Sequence, residues 1–152
     1  MQQKIAALMK SFLDKRMSST VSNSTADIPT DGIQVTQFSR RIADQIILYQ
    51  IIRYPDRCLF IWIGTSACDM SNLAMTMPMS LSTTNELLGT TLYGTDFYEQ
   101  SLALSKKLAR RLGGKKQVYV SLNLVNDADN EMLLSEVEQA LFEHVRQNEQ
   151  VY

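Results

Sequence analysis

Apolar residues recur in three segments at the spacing of three and four positions that places them on one face of an α-helix. The first segment covers residues 1 to about 16, the second runs from Phe97 to Leu112, and the third follows Asn130. Gly113 and Gly114 end the second predicted helix, since glycine suits the turn after a helix C-terminus. The three apolar stripes consist of Ile5, Leu8, Met9, Phe12 and Leu13; of Phe97, Ser101, Leu104, Leu108 and Leu112; and of Leu133, Leu134, Val137, Leu141 and Val145.

A period of two, typical of β-strands, governs most of the sequence between the first two helices. The link at Pro55 and Asp56 is short, so the strands on either side of it are expected to form an antiparallel hairpin. In both of these strands the odd-numbered and the even-numbered positions are mostly apolar, which indicates a sheet covered on both faces. The predicted strands are Ile33–Val35, Gln45–Tyr54, Arg57–Gly64, Asn72–Met79, a weaker one within Ser80–Leu88, and Lys116–Val125.

The strand Asn72–Met79 contains a proline and an unusual number of methionines. Pro78 cannot donate a ladder hydrogen bond, so this strand lies at a sheet edge or ends there. Met75, Met77 and Met79 share one face, where they either fill the core or form an adaptable binding surface. The frequency with which methionine is buried favours core filling.

The order of elements is several strands, a helix, a strand and a helix. This order favours an α+β fold, with an antiparallel β-sheet of about six strands flanked by two or three helices, over a doubly wound parallel sheet. Residues 17–31 are rich in Ser, Thr, Asn and Asp and predict a flexible linker. The chain therefore divides into residues 1–31, an N-terminal amphipathic helix with its linker, and one folded domain over residues 32–152.

Composition narrows the class of protein. The chain has 152 residues and a formal net charge of −1, so bulk electrostatics favour binding neither to nucleic acid nor to a membrane surface. Its two cysteines, Cys58 and Cys68, make no disulfide framework and fit no zinc spacing. We expect a reduced compartment, the cytosol or the nucleus, and neither a metal nor a cofactor.

Residues with catalytic potential are few and scattered. The single histidine, His144, is expected to be solvated or to cap its helix. Cys58 lies in an apolar strand, where a thiol is usually inert packing. A small hydrolase would need His144 to meet Cys58 or Cys68, which lie in other elements. We therefore predict that the chain is not an enzyme. The acidic cluster before the last helix is interpreted as helix capping: Asp127, Asp129 and Glu131.

Basic residues accumulate at the end of the second helix. Helical projection places Lys106, Lys107 and Arg110 opposite the leucine stripe, and like charges at this spacing repel one another. The segment after Asp127 is rich in acidic residues, so the two segments either neutralise each other or leave the basic helix for an acidic partner. The basic residues are Lys106, Lys107, Arg110, Arg111, Lys115 and Lys116.

From Gly32 onward several short motifs follow one another in a specific order. They are Trp62-Ile63-Gly64, Asn72-Leu73-Ala74-Met75, Leu87-Leu88-Gly89, Leu108-Ala109-Arg110-Arg111 and the strand from Gln117 to Leu124. In the order and spacing of these motifs the sequence resembles the proteasome assembly chaperone 4 family. The resemblance implies an antiparallel sheet domain with flanking helices and no catalytic residues. It also implies a heterodimer with proteasome assembly chaperone 3, which helps to build the α-subunit ring of the proteasome core and leaves before maturation.

Two binding surfaces follow as expectations. An apolar sheet or helix face would pair with the partner chaperone, while Lys106, Lys107 and Arg110 would contact a proteasome α subunit. The alternative is a different small α+β dimerisation or scaffold module, in trafficking or signalling. Residues 1–31 depart from the family pattern, as a docking helix or a disordered extension. Asp14 and the single Arg16 argue against the other alternative, a mitochondrial targeting segment.

Overall fold

The computed structural model of the protein describes residues 32–54, 58–65, 70–79, 86–94, 99–124, 131–148 and 152. The predicted N-terminal helix and linker lie outside these residues, as do Cys68, Phe97, Asp127 and Asp129. The described elements are β1 (Gln34–Ile42), β2 (Gln45–Tyr54), β3 (Cys58–Gly64), β4 (Leu73–Pro78), β5 (Leu87–Tyr93), α1 (Gln100–Arg111), β6 (Gln117–Asn123) and α2 (Glu131–Gln147).

All six strands join one sheet in the order β1-β2-β3-β6-β4-β5. The predicted hairpin of β2 and β3 is confirmed, with Ile51 opposite Ile61 in an antiparallel register. Among the described strands, only β3 and β6 pair in parallel, with Ile61 opposite Val120, because the chain forms β4, β5 and α1 before β6 returns beside β3. The α+β class and the six-stranded sheet are therefore confirmed, and the sheet is mixed with mostly antiparallel pairs.

Both described helices pack on one face of this sheet, which we call the first face. Helix α1 is tied to β4 by a hydrogen bond of 2.7 Å between the buried hydroxyls of Thr76 and Ser105. Helix α2 is tied to β2, where the hydroxyl of Tyr49 donates to the Val137 carbonyl at 3.3 Å. Burial of alternate strand residues against two helix stripes supplies most of the folding free energy. The fully buried centre of this core includes Ile47, Ile51, Leu59, Ile61, Ile63, Leu104, Leu108, Val118, Val120, Val137 and Leu141.

The apolar stripes predicted for the second and third helices form the buried faces of α1 and α2. Leu104 and Leu108 are fully buried in α1, whereas Leu134 of α2 is only half-buried at the margin of the core. Gly113 and Gly114 end α1 with φ angles of 77° and 66°, the left-handed region in which glycine avoids a Cβ clash. The Gly114 amide closes the helix by donating to the Ala109 carbonyl at 2.8 Å.

The sheet differs from prediction at its two edges. Strand β1 extends to Ile42, well beyond the Ile33–Val35 segment, and β5 begins only at Leu87. Strand β4 lies between β6 and β5 and ends at Pro78, so of the two predicted alternatives for this proline, a sheet edge or the end of the strand, the second is confirmed. Its ladder with β6 is limited to three residue pairs, from Ala74 to Thr76.

Candidate interaction surface

Residues that alternate with the core point to the other side of the sheet, which we call the second face. Register places one row of apolar and aromatic side chains directly across five strands of this face. This central row runs from β1 to β4 in the spatial order Val35, Ile52, Phe60, Tyr119 and Met75. Neighbouring side chains in one row lie about 5 Å apart at Cβ, so the row forms one continuous apolar band.

Further apolar side chains extend this band toward the margins of the face. Ile46 of β2 is 59% exposed, and Leu88 and Tyr93 of β5 are 54% and 56% exposed. Met75 and Met77 are half-buried on this face and lie outside the core, so the core-filling interpretation of the methionines is wrong for this pair. Neither described helix packs on the second face. Such a contiguous apolar surface is typical of a protein–protein contact.

A second row, beside the central one, combines polar groups with the single tryptophan of the chain. Gln37, Gln50, Trp62 and Ser121 lie opposite one another across β1, β2, β3 and β6. Gln50 and Trp62 are each 3% exposed. Neither amide atom of Gln50 has a hydrogen-bond partner in the described part of the chain. A buried amide without a partner carries a free-energy cost, so Gln50 does not contribute a side-chain hydrogen bond to the stability of the domain.

Trp62 depends on the glycine that follows it on the same face. A Cβ at Gly64 would come within 2.5 Å of the Trp62 ring, so the six-membered ring of the indole occupies the space beside Gly64. The Trp-Ile-Gly motif therefore has a packing role: the glycine leaves room for the ring to lie along the sheet.

A cluster of polar side chains fixes β4 and α1 to the end of β6. Asn72 donates to the Leu122 carbonyl at 2.7 Å, and its Oδ1 accepts from the Ser101 hydroxyl at 2.6 Å and from the Leu122 amide at 3.2 Å. The Ser121 hydroxyl donates to the Asn72 carbonyl at 2.6 Å. The Asn72 side chain thus continues the ladder where the backbone pairing of β4 and β6 stops, and it holds the methionine strand in place.

The three predicted partner-binding residues do not share one environment. The Lys107 ammonium lies 2.6 Å from a Glu138 carboxylate oxygen of α2, so this lysine is neutralised within the fold. The Lys106 side chain lies along β5, because a Cβ at Gly89 would meet its Cε at 2.7 Å. Arg110 is exposed. Among the described residues, Lys106 and Arg110 form no ion pair and remain available to an acidic partner.

His144 is packed, so the expectation of a solvated or capping histidine is wrong. Its ring stacks on Phe38 at a centroid distance of 4.1 Å, and its Nε2 lies 3.1 Å from the Tyr152 hydroxyl. Burial, and to a lesser extent the nearby Arg40 charge, lowers the pKa of His144 below its ordinary value. The ring is therefore a neutral packing element of the α2–β1 contact.

The geometry separates the groups that a hydrolase would need to bring together. His144 packs on the first face, whereas Cys58 pairs in register with Tyr54 and Gln117 on the second face. Burial raises the pKa of the Cys58 thiol, which disfavours the nucleophilic thiolate. Glu131 lies in the first turn of α2, as the capping interpretation requires.

The described residues contain no group of three or more His, Cys, Asp or Glu side chains that could hold a metal ion. They also contain no helix long and apolar enough to cross a membrane.

The sequence analysis did not identify the central row, although a signal was present. In β2 and β3 apolar residues occupy both odd-numbered and even-numbered positions, which indicates that both faces of the sheet are covered. The two described helices cover only the first face, so the second set of apolar positions marks a surface that another element or protein can cover. The sequence thus indicates a second apolar face, whereas the residues that form the central row follow only from the register of the strands.

Comparison with known proteins gives consistent matches. A family model described as proteasome assembly chaperone 4 matches residues 46–124. Human proteasome assembly chaperone 4 is 35% identical over 107 residues, which cover 68% of this chain and 80% of the human protein. The mouse protein of the same name is 33% identical over 109 residues, with the same shares covered.

A solved structure has a similar fold. It is described as the crystal structure of a novel chaperone complex for yeast 20S proteasome assembly. The match has a TM-score of 0.56 and 11% sequence identity, and it covers 78% of this chain and 97% of the other. At this identity the likeness concerns the fold.

Proposed function

Because the chain belongs to the proteasome assembly chaperone 4 family, whose role is not enzymatic, we propose that it assists proteasome assembly by binding other proteins. Specifically, it pairs with proteasome assembly chaperone 3 and promotes assembly of the α-subunit ring of the core particle. It is released before the particle matures. It acts in the cytosol or the nucleus, in keeping with its free thiol at Cys58.

The observation that carries the proposal is the apolar second face. Its central row spans five strands, and strongly exposed apolar side chains surround it at Ile46, Leu88 and Tyr93. Exposed apolar area of this kind is costly for a free domain and favourable in a lasting interface. We assign the second face to the partner chaperone, because that contact must persist while the subunit contacts change.

The contact with an α subunit must be reversible, and a polar surface suits a reversible contact. Lys106 and Arg110 on α1 supply such a surface, on the side of the sheet opposite the central row. Lys107 was expected to join them, but its charge is matched by Glu138. We therefore assign the main electrostatic contribution to Lys106 and Arg110.

Co-purification from cells tests the proposal as a whole. Tagged chain should recover proteasome α subunits together with a second small chaperone, as identified by mass spectrometry. The double substitution Ile46→Asp with Leu88→Asp should remove the second chaperone, because each aspartate would be buried without a counter-charge. Both side chains are more than half exposed, so the domain should stay folded.

The matched control is Met132→Asp, at a position of α2 that is 72% exposed. This variant should retain the second chaperone. Recovery of neither α subunits nor a second chaperone by the unmodified chain would refute the proposed function. Equal recovery by the double variant and the control would refute the assignment of the second face.

Charge reversal tests the basic surface separately. Lys106→Glu with Arg110→Glu should weaken α-subunit binding and increase its salt sensitivity, while leaving the pairing with the second chaperone unchanged. Unchanged α-subunit recovery in this variant would reject the role of α1.

A further inference from the structure

The edge of the sheet at β5 is open and carries no charge. Strand β5 stands last in the strand order, so no described strand pairs with its outer side. Its sequence includes no charged residue, and the side chains of Leu88, Leu92 and Tyr93 are strongly exposed. Such an edge is available for pairing with another chain, and natural proteins protect the edges that they do not use in this way.

The opposite edge of the sheet is protected. Strand β1 carries Arg40 and Arg41 near its end, and charges on an edge strand oppose pairing with another chain. The irregularity of β5 is a shift in register between Thr91 and Tyr93, so the ladder from Leu87 to Thr91 is regular. The contrast between the two edges indicates that β5 is the edge that receives a further strand.

The ladder with β4 determines which backbone groups of β5 point outward. Residue pairs of an antiparallel ladder alternate between those that exchange hydrogen bonds and those that do not. The Met79 amide donates to the Glu86 carbonyl at 3.0 Å, so the next pair, Pro78 with Leu87, does not exchange bonds. Proline has no N–H to donate, which agrees with this alternation. The N–H and C=O groups that point away from β4 are therefore those of Leu87, Gly89 and Thr91.

Lys106 crosses β5 at Gly89 on the first face. A Cβ at Gly89 would meet the Lys106 Cε at 2.7 Å and the Leu102 Cδ1 at 2.9 Å, so the glycine leaves room for the lysine stem. This packing gives the glycine of the Leu-Leu-Gly motif a role. The Lys106 ammonium is one bond beyond Cε, and it forms no ion pair with the described residues. A positive charge therefore lies over the strand that forms the open edge.

We propose that the outer edge of β5 binds an extended segment of a partner protein, which pairs as an additional antiparallel strand and places an acidic side chain beside Lys106. This inference deepens the proposed function and rests on it for the identity of the partner, an α subunit, to which Lys106 is assigned there. Backbone groups at three positions of β5 supply the hydrogen bonds, as in other proteins that bind peptides by strand addition.

The alternation of side chains specifies the chemistry of the segment. Its residue opposite Gly89 projects on the first face, toward the Lys106 ammonium, where a carboxylate is favoured. The residues on either side of it project on the second face, beside Leu88 and Thr90. Leu88 is strongly exposed there and borders the apolar surface of that face. The segment should therefore have an acidic residue between two apolar residues.

The main test is binding of a dye-labelled, blocked peptide of seven residues, followed by fluorescence anisotropy. The peptide has glutamate at its centre, threonine two positions to either side and valine elsewhere. It should bind the full-length chain saturably, and about fivefold more tightly than the same peptide with a central lysine, the ratio for one exposed ion pair. Lys106→Glu should reverse this preference.

Methylation of peptide nitrogens tests strand pairing itself. N-methylation of the glutamate and the two threonines blocks the three amides that face β5, and it should weaken binding about a hundredfold. The matched control is the peptide methylated at the two valines beside the glutamate, whose amides face away, and it should bind as before. Equal effects of the two methylated peptides would overturn the proposal, as would the absence of saturable binding or equal affinity for the glutamate and lysine peptides.

Thr91→Pro tests the same edge from the side of the protein. It removes an outward N–H and no hydrogen bond to β4, so the sheet should stay intact by circular dichroism while peptide affinity falls at least about tenfold. The Thr90 hydroxyl approaches the Thr91 carbonyl at 3.4 Å, a contact too long to occupy that carbonyl fully. Unchanged peptide affinity in a folded Thr91→Pro variant would overturn the proposal.

Co-purification separates this inference from the proposed function. Thr91→Pro should lower the recovery of α subunits and leave the recovery of the second chaperone unchanged. If the glutamate peptide binds as described while the unmodified chain recovers neither α subunits nor a second chaperone, the strand-addition site stands and the proposed function fails. If the unmodified chain recovers both while no peptide binds, the proposed function stands and the strand-addition site fails.

Discussion

Replacing Asn72 by alanine should destabilise the domain more than any other single polar substitution at the end of β6. The amide side chain makes three hydrogen bonds to buried or half-buried groups, namely the Leu122 carbonyl, the Leu122 amide and the Ser101 hydroxyl. A fourth, of 3.4 Å, goes to the exposed Ser71 hydroxyl and adds little. Leu122 and Ser101 are buried, so alanine leaves their polar groups short of partners. The Leu122 amide keeps one contact of 3.2 Å with the Ser101 hydroxyl. At about 1 kcal/mol for each lost bond, we expect a loss of about 3 kcal/mol.

Urea unfolding followed by circular dichroism measures this loss, and thermal unfolding should show a fall in Tm of roughly 6–12 °C for a domain of this size. The matched control is Asn148→Ala, because Asn148 makes one side-chain bond, to the His144 carbonyl at the end of α2. The control should lose about 1 kcal/mol or less. A loss for Asn72→Ala as small as that of the control would refute the claim that its side chain completes the ladder.

Two further predictions concern buried polar groups. Ser105→Ala should lower the free energy of unfolding by about 1–3 kcal/mol, because it leaves the buried Thr76 hydroxyl without its hydrogen-bond partner. Adding Thr76→Val should recover part of that loss. Strictly additive losses in urea unfolding would contradict this. For His144, the folded-state pKa lies below the unfolded value, so the unfolded chain binds more protons and stability should fall as the pH drops below about 6.5. His144→Gln should flatten the unfolding free energy measured between about pH 7 and pH 5, and an unchanged slope would contradict this assignment.

The elements that were predicted well from the sequence are those in which the hydrophobic pattern agrees with the residues that end the helix or strand. Strand β2 is bounded by Tyr54 and the proline that follows it, and α1 is ended by Gly113. In such segments the local signal and the tertiary environment favour the same structure.

The bounds of the edge strands were harder to predict, because the sequence signals that set them are weak or lie far away along the chain. Strand β1 is polar along most of its length, and its turn to β2 passes through Ala43, which adopts a φ of 52° without the usual glycine or asparagine. Strand β5 begins at Leu87 because Leu87 and Leu88 pair with Pro78 and Met77, a register that no local pattern shows. The parallel pairing of β3 and β6 joins residues more than fifty positions apart.

The candidate surface was predictable only in part. Helical projection placed Lys106, Lys107 and Arg110 opposite the leucine stripe, yet only the tertiary arrangement of α1 and α2 shows that Glu138 takes up the charge of Lys107. The central row depends on the register of five strands, which a single sequence does not contain. Its residues are individually ordinary, and they form a surface only when the sheet aligns them.

Hydroxyl-radical footprinting of the chain, alone and in its complex with the second chaperone, tests the central claim most directly. Met75 and Met77 lie on the second face, whereas Met132 lies exposed on α2, so one mass-spectrometric experiment compares both sides of the molecule. Binding through the second face predicts that complex formation lowers the oxidation of Met75 and Met77 and leaves that of Met132 unchanged. Lower oxidation of Met132 with no change at Met75 and Met77 would place the partner on the helices and contradict the account.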